Sequence, residues 1–462
     1  MTNPDRNYLL GATEAFSEFA TNITYESIPI QFIQSLKLFL LDYIGVAAYG
    51  AASAESSAPF SHAIEVLNGH QYGSSTVITK GSQYQPHYAA LLNGAFAHSL
   101  DFDDTYAAGA LHPGVSTISA ALTEGSAISG KHFLSAIAVG YEITCRIGRA
   151  LGPGSYARGF HNTSVAGIFG AVAAVGHLRG LEAAIITSAF GIAGSKAAGS
   201  MQFFENGSWN KRLHPGFAAH DALMALAFGM SGVHASVEPI EGRNGVLHSY
   251  SESAVVGSLA TDLGSEWVAQ ATAIKPYPGC RATHGTIDLA LQMRNENDKA
   301  RRGVQKITLA MAPTAFQLVG RPDANKIHPK NIVDAQFSAY YQLAVNWLDG
   351  ATGWAIYDRL HDRDVYDLSG RISIQTDPSM KTLATRCCVV WADGTATTNE
   401  IVDPIGEPSN PMTIEKVEEK FLSLAVPVYG DGKAKRIQDL VLRIEEQADL
   451  GELLELIRGN EV

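Results

Sequence analysis

From about residue 13 to 260 this sequence is a succession of helix-length apolar stretches studded with small residues, and that pattern limits the folds open to it. Residues 89–97, 115–128, 133–150, 164–177 and 181–201 all read as helices rich in Ala and Gly. Gly167, Gly170, Gly176, Gly191, Gly194 and Gly199 fall inside them. Glycine in a helix interior costs roughly 1 kcal/mol relative to alanine. Its repeated use predicts helices that approach closely enough to offset that loss. The most apolar early segment, 36–48, is broken by Lys37 and Asp42. It is too short and too charged to span a bilayer, and reads as a buried helix.

The pattern changes near Ile274. Lys275-Pro-Tyr-Pro-Gly-Cys-Arg is a stiff, hinge-like stretch. After it, 304–311, 370–376 and 386–391 read as strands, with helices at 337–348 and 353–360 between them and amphipathic helix again from about 413. A chain of 462 residues exceeds one ordinary core. The expected fold is mainly α. A large all-helical domain comprises 1–268 plus 405–462, and a smaller α+β lid domain is inserted at 269–404.

Hydrophobic content of 46% with 17% charged residues describes a globular chain. A net charge of -12 argues against nucleic acid or an anionic membrane as partner, but leaves room for a small anionic molecule held by local lysines. The N-terminal Met-Thr-Asn-Pro-Asp-Arg is polar and lacks signal-peptide character. Cys145, Cys280, Cys387 and Cys388 form no C-x-x-C pair, which excludes a recognisable zinc site, disulfide framework or iron–sulfur ligand set. The expected location is cytoplasmic or another reducing intracellular compartment.

Chemistry-bearing residues concentrate in the run from His98 to His112, which packs Asp101, Asp103 and Asp104 between two histidines. Carboxylates and imidazoles crowded into apolar surroundings should have shifted pKa values, the raw material of proton transfer. Tyr106 and His112 stand where a calcium loop needs Gly and Glu, and no phosphate-cradling loop is present, so no metal is expected. The plain alternative is that these aspartates cap or solvate a helix end. His161 precedes Asn162-Thr163-Ser164, a capping cluster whose helix N-terminus can receive a carboxylate. Lys211, Arg212 and His214 precede a helix expected at 217–230. Cations there oppose the helix macrodipole, and so either hold a ligand or face solvent. Lys275, Arg281 and His284 lie on or near the proline-stiffened hinge. No G-x-G-x-x-G or G-x-S-x-G motif occurs in a context that would imply a dinucleotide fold or a hydrolase elbow.

Together these segments resemble the MmgE/PrpD family. The matching pieces are Ala97-His-Ser-Leu-Asp-Phe-Asp-Asp-Thr105, Leu111-His-Pro-Gly114, Gly159-Phe-His-Asn-Thr163, Lys211-Arg-Leu-His-Pro-Gly216, the stretch from Lys275 to His284, and Ala335-Gln-Phe-Ser-Ala-Tyr-Tyr341 with Leu348-Asp-Gly350. The resemblance implies a homodimer and a cofactor-free site between the domains, taking a tri- or dicarboxylate. It implies site roles for Asp101, His112, His161, Lys211 and Lys275, with Thr105 and Tyr341 binding substrate. Arg281 is read beside them as a further cation for the carboxylates. His112 or His161 is the expected base and the other the acid, with Asp101 orienting the nearer one.

Two departures from the common pattern bear on substrate: the 106–111 loop, Tyr-Ala-Ala-Gly-Ala-Leu, and Gly279 within Pro-Gly-Cys. The small loop leaves room for an alkyl group. The first expectation is therefore dehydration of a 2-methylcitrate or other 2-alkylcitrate. Decarboxylation of cis-aconitate and epimerisation of a dicarboxylate are the alternatives.

Overall fold

The computed structural model describes residues 11–68, 71, 73–296 and 303–459. The polar N-terminal hexapeptide lies outside them. The chain is mainly α, with a smaller α+β part. It divides into two compact units. The first comprises residues 1–202, Trp209–Ile274 and Thr413–Val462, and the second Phe203–Ser208 and Lys275–Met412.

Among the described residues, nine helices open the first unit: α1 (Ala12–Asn22), α2 (Ile30–Ser53), α3 (Ser57–Asn68), α4 (Pro86–His98), α5 (Gly114–Ala121), α6 (Gly130–Ala157), α7 (Asn162–Leu178), α8 (Ala183–Gly194) and α9 (Asn210–Met230). Every residue of α7 is buried, as befits a helix apolar on all sides. It is wrapped by α5, α6, α8 and α9. The expected close approaches are present. A Cβ added to Gly170 of α7 would meet the Gly140 carbonyl and Thr144 hydroxyl of α6. One added to Gly94 of α4 would lie 2.8 Å from the Gly216 backbone of α9.

Helix α2 runs for 24 residues, long and apolar enough by length and composition to cross a membrane. Its charges show it to be a core helix instead. Asp42 is buried and pairs with Lys420 (2.5 Å), and Lys37 pairs with Glu445 (2.8 Å), both from the C-terminal segment. Two expected helices end early. The chain leaves helix at Ser195, not at 201, because Gly199 takes φ +139° and carries the backbone across to α7. The helix expected at 115–128 stops at Ala121, and a short 3-10 turn then ends at Gly125, whose φ is +94°. Helix α9 begins earlier than expected, at Asn210, with Pro215 inside it.

The second unit is built on a four-stranded sheet. Its order is Ile372–Thr376, Val304–Met311, Thr385–Trp391, Ala396–Ile401. The first two strands pair in parallel and the others are antiparallel. Thr385–Trp391 alternates between buried and half-buried, which turns Cys387 and Trp391 inward and leaves Cys388 half-buried on the other face. Helix His284–Glu296 packs on this strand and on helix Ala339–Asp349.

Candidate active site

Five chain segments of the first unit bring their polar residues together. Helix α4 ends at His98, and the chain then turns sharply at Asp101, whose φ of +51° lies in the left-handed region. Aspartate tolerates that region better than most residues, though at a cost of about 1 kcal/mol or more. The acidic turn that follows is anchored from outside. Lys420 donates to the Phe102 carbonyl (2.8 Å), lies 3.7 Å from the centre of the Phe102 ring and pairs with Asp42. Thr105 then exchanges two backbone hydrogen bonds with Ala273, at 2.9 and 2.7 Å.

The capping cluster after His161 works as a clamp. His161 is itself the N-cap of α7, and its N–H donates to the Gly199 carbonyl (2.9 Å). Asn162 donates to the Gly109 carbonyl (2.9 Å) and accepts from Ser155 (2.6 Å). The Thr163 hydroxyl accepts from the His112 N–H (3.2 Å). The Ser164 hydroxyl donates to the His214 carbonyl (3.0 Å). Three consecutive polar residues thus tie the 106–111 loop, His112 and α9 to one helix end.

The result is a row of imidazoles. His98 and His112 stand at 4.6 Å between ring centres, His98 and His161 at 5.7 Å, and His161 and His214 at 5.2 Å. Asp103 Oδ2 lies 2.8 Å from Nδ1 of both His98 and His112. These three side chains bring ligand-type atoms within 4.8 Å of one another. The carboxylate oxygen hydrogen-bonds His98 Nδ1 and lies at ion-pair distance from His112 Nδ1, so the three side chains form a triad. Lys211, in the first turn of α9, donates to Asp101 Oδ1 (2.9 Å). That pair answers why a cation sits at a helix N-terminus against the macrodipole: its counter-charge is buried beside it.

Burial sets the electrostatics. Desolvation lowers His98 to about 3 against the pull of Asp103, and lowers His214 to about 4 with Lys211 adding to the effect. His161 is held well below the ordinary imidazole value by burial first, then by His214, His98 and Lys211. For Asp103, desolvation pushes up, but His112 and His98 together outweigh it and the carboxyl stays well below its usual range. Asp104 behaves oppositely: burial raises it to about 7, although it accepts from Tyr141 (2.6 Å) and from the Gly114 N–H (3.2 Å). Among the described residues, the buried Thr105 Oγ1, His98 Nε2 and Asp103 Oδ1 have no hydrogen-bond partner. Such orphaned atoms cost about 1–3 kcal/mol each and mark where a polar ligand would bond.

Asp101, Thr105, His112, His161 and Lys211 all fall within this one unit. Asp103 is the carboxylate in contact with two histidines, and Asp101 Oδ1 engages Lys211. Asp104 is hydrogen-bonded to Tyr141 and to the Gly114 N–H. Arg212 turns away to Ser56 (2.9 Å). His98, Asp103 and His214 were missed as site residues. Their only signal was their place in the His98–His112 run and beside Lys211.

Lys275, Arg281 and Tyr341 belong to the second unit. Lys275 is buried and follows Ala273, the partner of Thr105, by two residues. Tyr341 is buried and donates to the Ile356 carbonyl (2.5 Å). Arg281 is engaged within its own unit by Glu407 (2.6 Å), the Ile405 carbonyl (3.0 Å) and His284 (2.6 Å).

A mainly α chain thus buries a histidine row against Asp103 and beside one lysine–aspartate pair. Residues 14–258 match the MmgE/PrpD N-terminal domain and residues 277–446 the MmgE/PrpD C-terminal domain, so the chain belongs to the MmgE/PrpD family. Members of that family are lyases. A cis-aconitate decarboxylase of Aspergillus terreus is 28% identical over 486 residues, covering 98% of this chain and 97% of the relative. A cis-aconitate decarboxylase-like protein of Aspergillus oryzae is 27% identical over 506 residues, covering 99% and 100%. The cis-aconitate decarboxylase of Homo sapiens is 26% identical over 479 residues, covering 98% and 95%.

Proposed function

We propose that this chain is a lyase that removes CO2 from an unsaturated tricarboxylate of the cis-aconitate type. The observation that carries the reading is the triad in which Asp103 Oδ2 lies 2.8 Å from both His98 and His112. In this reaction the electron pair of the breaking C–C bond forms a new double bond. The pair of the old double bond takes up a proton at the carbon beside a remaining carboxylate. His112, backed by the charged Asp103, delivers that proton. Lys211 stabilises the enolate-like charge that develops. Thr105, whose buried hydroxyl has no hydrogen-bond partner among the described residues, holds a carboxylate of the substrate. Relatives named for this reaction, alike over nearly the whole chain, support the choice of substrate.

The expectation of a 2-alkylcitrate dehydratase becomes the second reading. Ala107, Ala108 and Ala110 are exposed. Buried Gly109 packs on Leu111 and Gly148, so the smallness of this loop serves its own packing. One observation still favours dehydration: His161, held neutral, is a ready base, and dehydration needs a base as well as an acid. Incubation with cis-aconitate and separately with 2-methylcitrate, followed by NMR, decides between them. A product one carbon shorter, formed from cis-aconitate alone, supports decarboxylation. Conversion of 2-methylcitrate with cis-aconitate untouched overturns it.

A further inference from the structure

We propose that His214 and His161 form a proton conduit that links the buried histidine row to a cavity on the surface of the first unit. The two Nδ1 atoms are 3.1 Å apart. A hydrogen bond between two imidazole nitrogens needs one N–H and one lone pair, so the two rings must take complementary tautomers. The imidazole whose Nδ1 donates keeps its Nε2 as an acceptor, and its partner carries the proton on Nε2. Passing a proton through the pair moves it from one ring's far nitrogen to the other's and reverses both tautomers.

The geometry gives the conduit two ends. On the inner side, the His161 ring stacks against His98, 5.7 Å between centres, and stands 6.5 Å from His112. On the outer side, His214 lines a cavity of about 620 Å³ together with Ser164, Lys196, Ser200, His220 and Asp221. Lys196 and Ser200 are exposed, so the cavity opens to solvent, while His161 is buried. Gly199 holds the pair in place. With φ +139°, it brings its backbone against both rings' residues, and a Cβ there would lie 3.4 Å from His161 Cβ and 3.5 Å from His214 Nδ1. Ser164 fixes the His214 carbonyl, and the Gly199 carbonyl fixes the His161 N–H. Both imidazoles are held below the ordinary histidine value by burial, which keeps the resting pair neutral with a single shared proton.

The need for such a route rests on the reaction proposed above. Decarboxylation releases CO2 and leaves a proton on the product, so each turnover draws one proton from solvent into a buried site. His214 is a positioning and relay residue in this account, with no contact to substrate required of it.

Two measurements test the conduit. In the first, kcat and KM are compared for the wild type, His214→Gln and His214→Ala. Gln keeps a hydrogen-bonding side chain but cannot relay. A loss of kcat of about 10–100-fold in both variants, with KM nearly unchanged, is expected, a fraction of what general acid–base groups contribute. Added imidazole should restore His214→Ala in proportion to its concentration, because the cavity admits it to His161, and should not restore His214→Gln. Unchanged kcat in the Gln variant, or a folded Ala variant that imidazole does not rescue, overturns the proposal. If His214→Ala does not fold, the Gln variant decides alone.

The second measurement needs no substrate. ¹⁵N-histidine NMR of the wild type, assigned with the His161→Gln and His214→Gln variants, should show one Nδ1–H and one Nε2–H tautomer near neutral pH. Two Nε2–H tautomers overturn the conduit. Failure of the substrate reading looks different: a wild type inert toward both tricarboxylates, with the tautomer pattern still deciding the relay.

Discussion

Replacing Asp103 by Asn keeps the size of the side chain and removes one charge, which makes it the sharpest perturbation of the triad. Two unit charges 2.8 Å apart, the separation of Asp103 Oδ2 from His112 Nδ1, attract by about 6 kcal/mol at an effective dielectric near 20. Desolvation of the buried carboxylate opposes that attraction, so the net effect is smaller, about 2–4 kcal/mol for a buried charge-assisted contact. If half of that support goes into keeping His112 protonated and ready to donate, kcat falls by roughly 5- to 30-fold, since 1.4 kcal/mol is a factor of ten. The assay is steady-state kinetics on whichever tricarboxylate the wild type converts, with circular dichroism confirming the fold. Wild-type kcat in Asp103→Asn, alongside an inactive but folded Asp101→Asn, would return the orienting role to Asp101 and refute the triad.

Lys211→Met leaves Asp101 buried without its cation and should lower kcat/KM by about 100-fold and stability by about 3–5 kcal/mol. Asp101→Asn combined with Lys211→Met should be less destabilised than the sum of the single changes, as a double-mutant cycle in urea would show. Lys420→Met strands buried Asp42 and releases the Phe102 carbonyl. A loss of about 3–5 kcal/mol together with lowered kcat is expected in urea melts and turnover assays, although Lys420 lies outside the histidine row. Stability should also follow pH in a defined way. His214 titrates near 4 in the folded chain and near the ordinary 6.5 when unfolded. The unfolded chain therefore binds the extra proton between those values, and about 3 kcal/mol of stability is lost as pH falls through that window. Asp104, raised to about 7 from 3.8, acts in the opposite sense, because the folded state binds its proton first. Asp104→Asn removes that compensation, so the variant should lose stability more steeply than the wild type between pH 6.5 and 4.5.

Periodicity made the helical part legible because α7 and its neighbours are apolar on nearly every face, and the glycines at 140, 170, 94 and 216 sit where helices touch. The strand at 304–311 was equally plain from its alternation. Long-range pairing of charges was not. In Asp101-Phe-Asp103-Asp104, spacing alone cannot say which carboxylate meets the histidines. That depends on the left-handed turn at Asp101, which no propensity foretells for an aspartate. Pro215 hid the first turns of α9 and with them the depth of Lys211 and His214. A proline at the sixth helical position forfeits only the bond to the Lys211 carbonyl, and the helix tolerates it. The partners of Arg281, Glu407 and Ile405, lie more than a hundred residues away and left no local signal.

In the proposed reaction His112, supported by Asp103, gives the reacting carbon its proton. The direct measurement is turnover of cis-aconitate in D2O, followed by ¹H and ¹³C NMR, for the 462-residue wild type and His112→Gln. The account predicts one deuterium at the carbon beside a remaining carboxylate of the product, and loss of both product and label in the folded variant. Product formed at the wild-type rate by His112→Gln would contradict it.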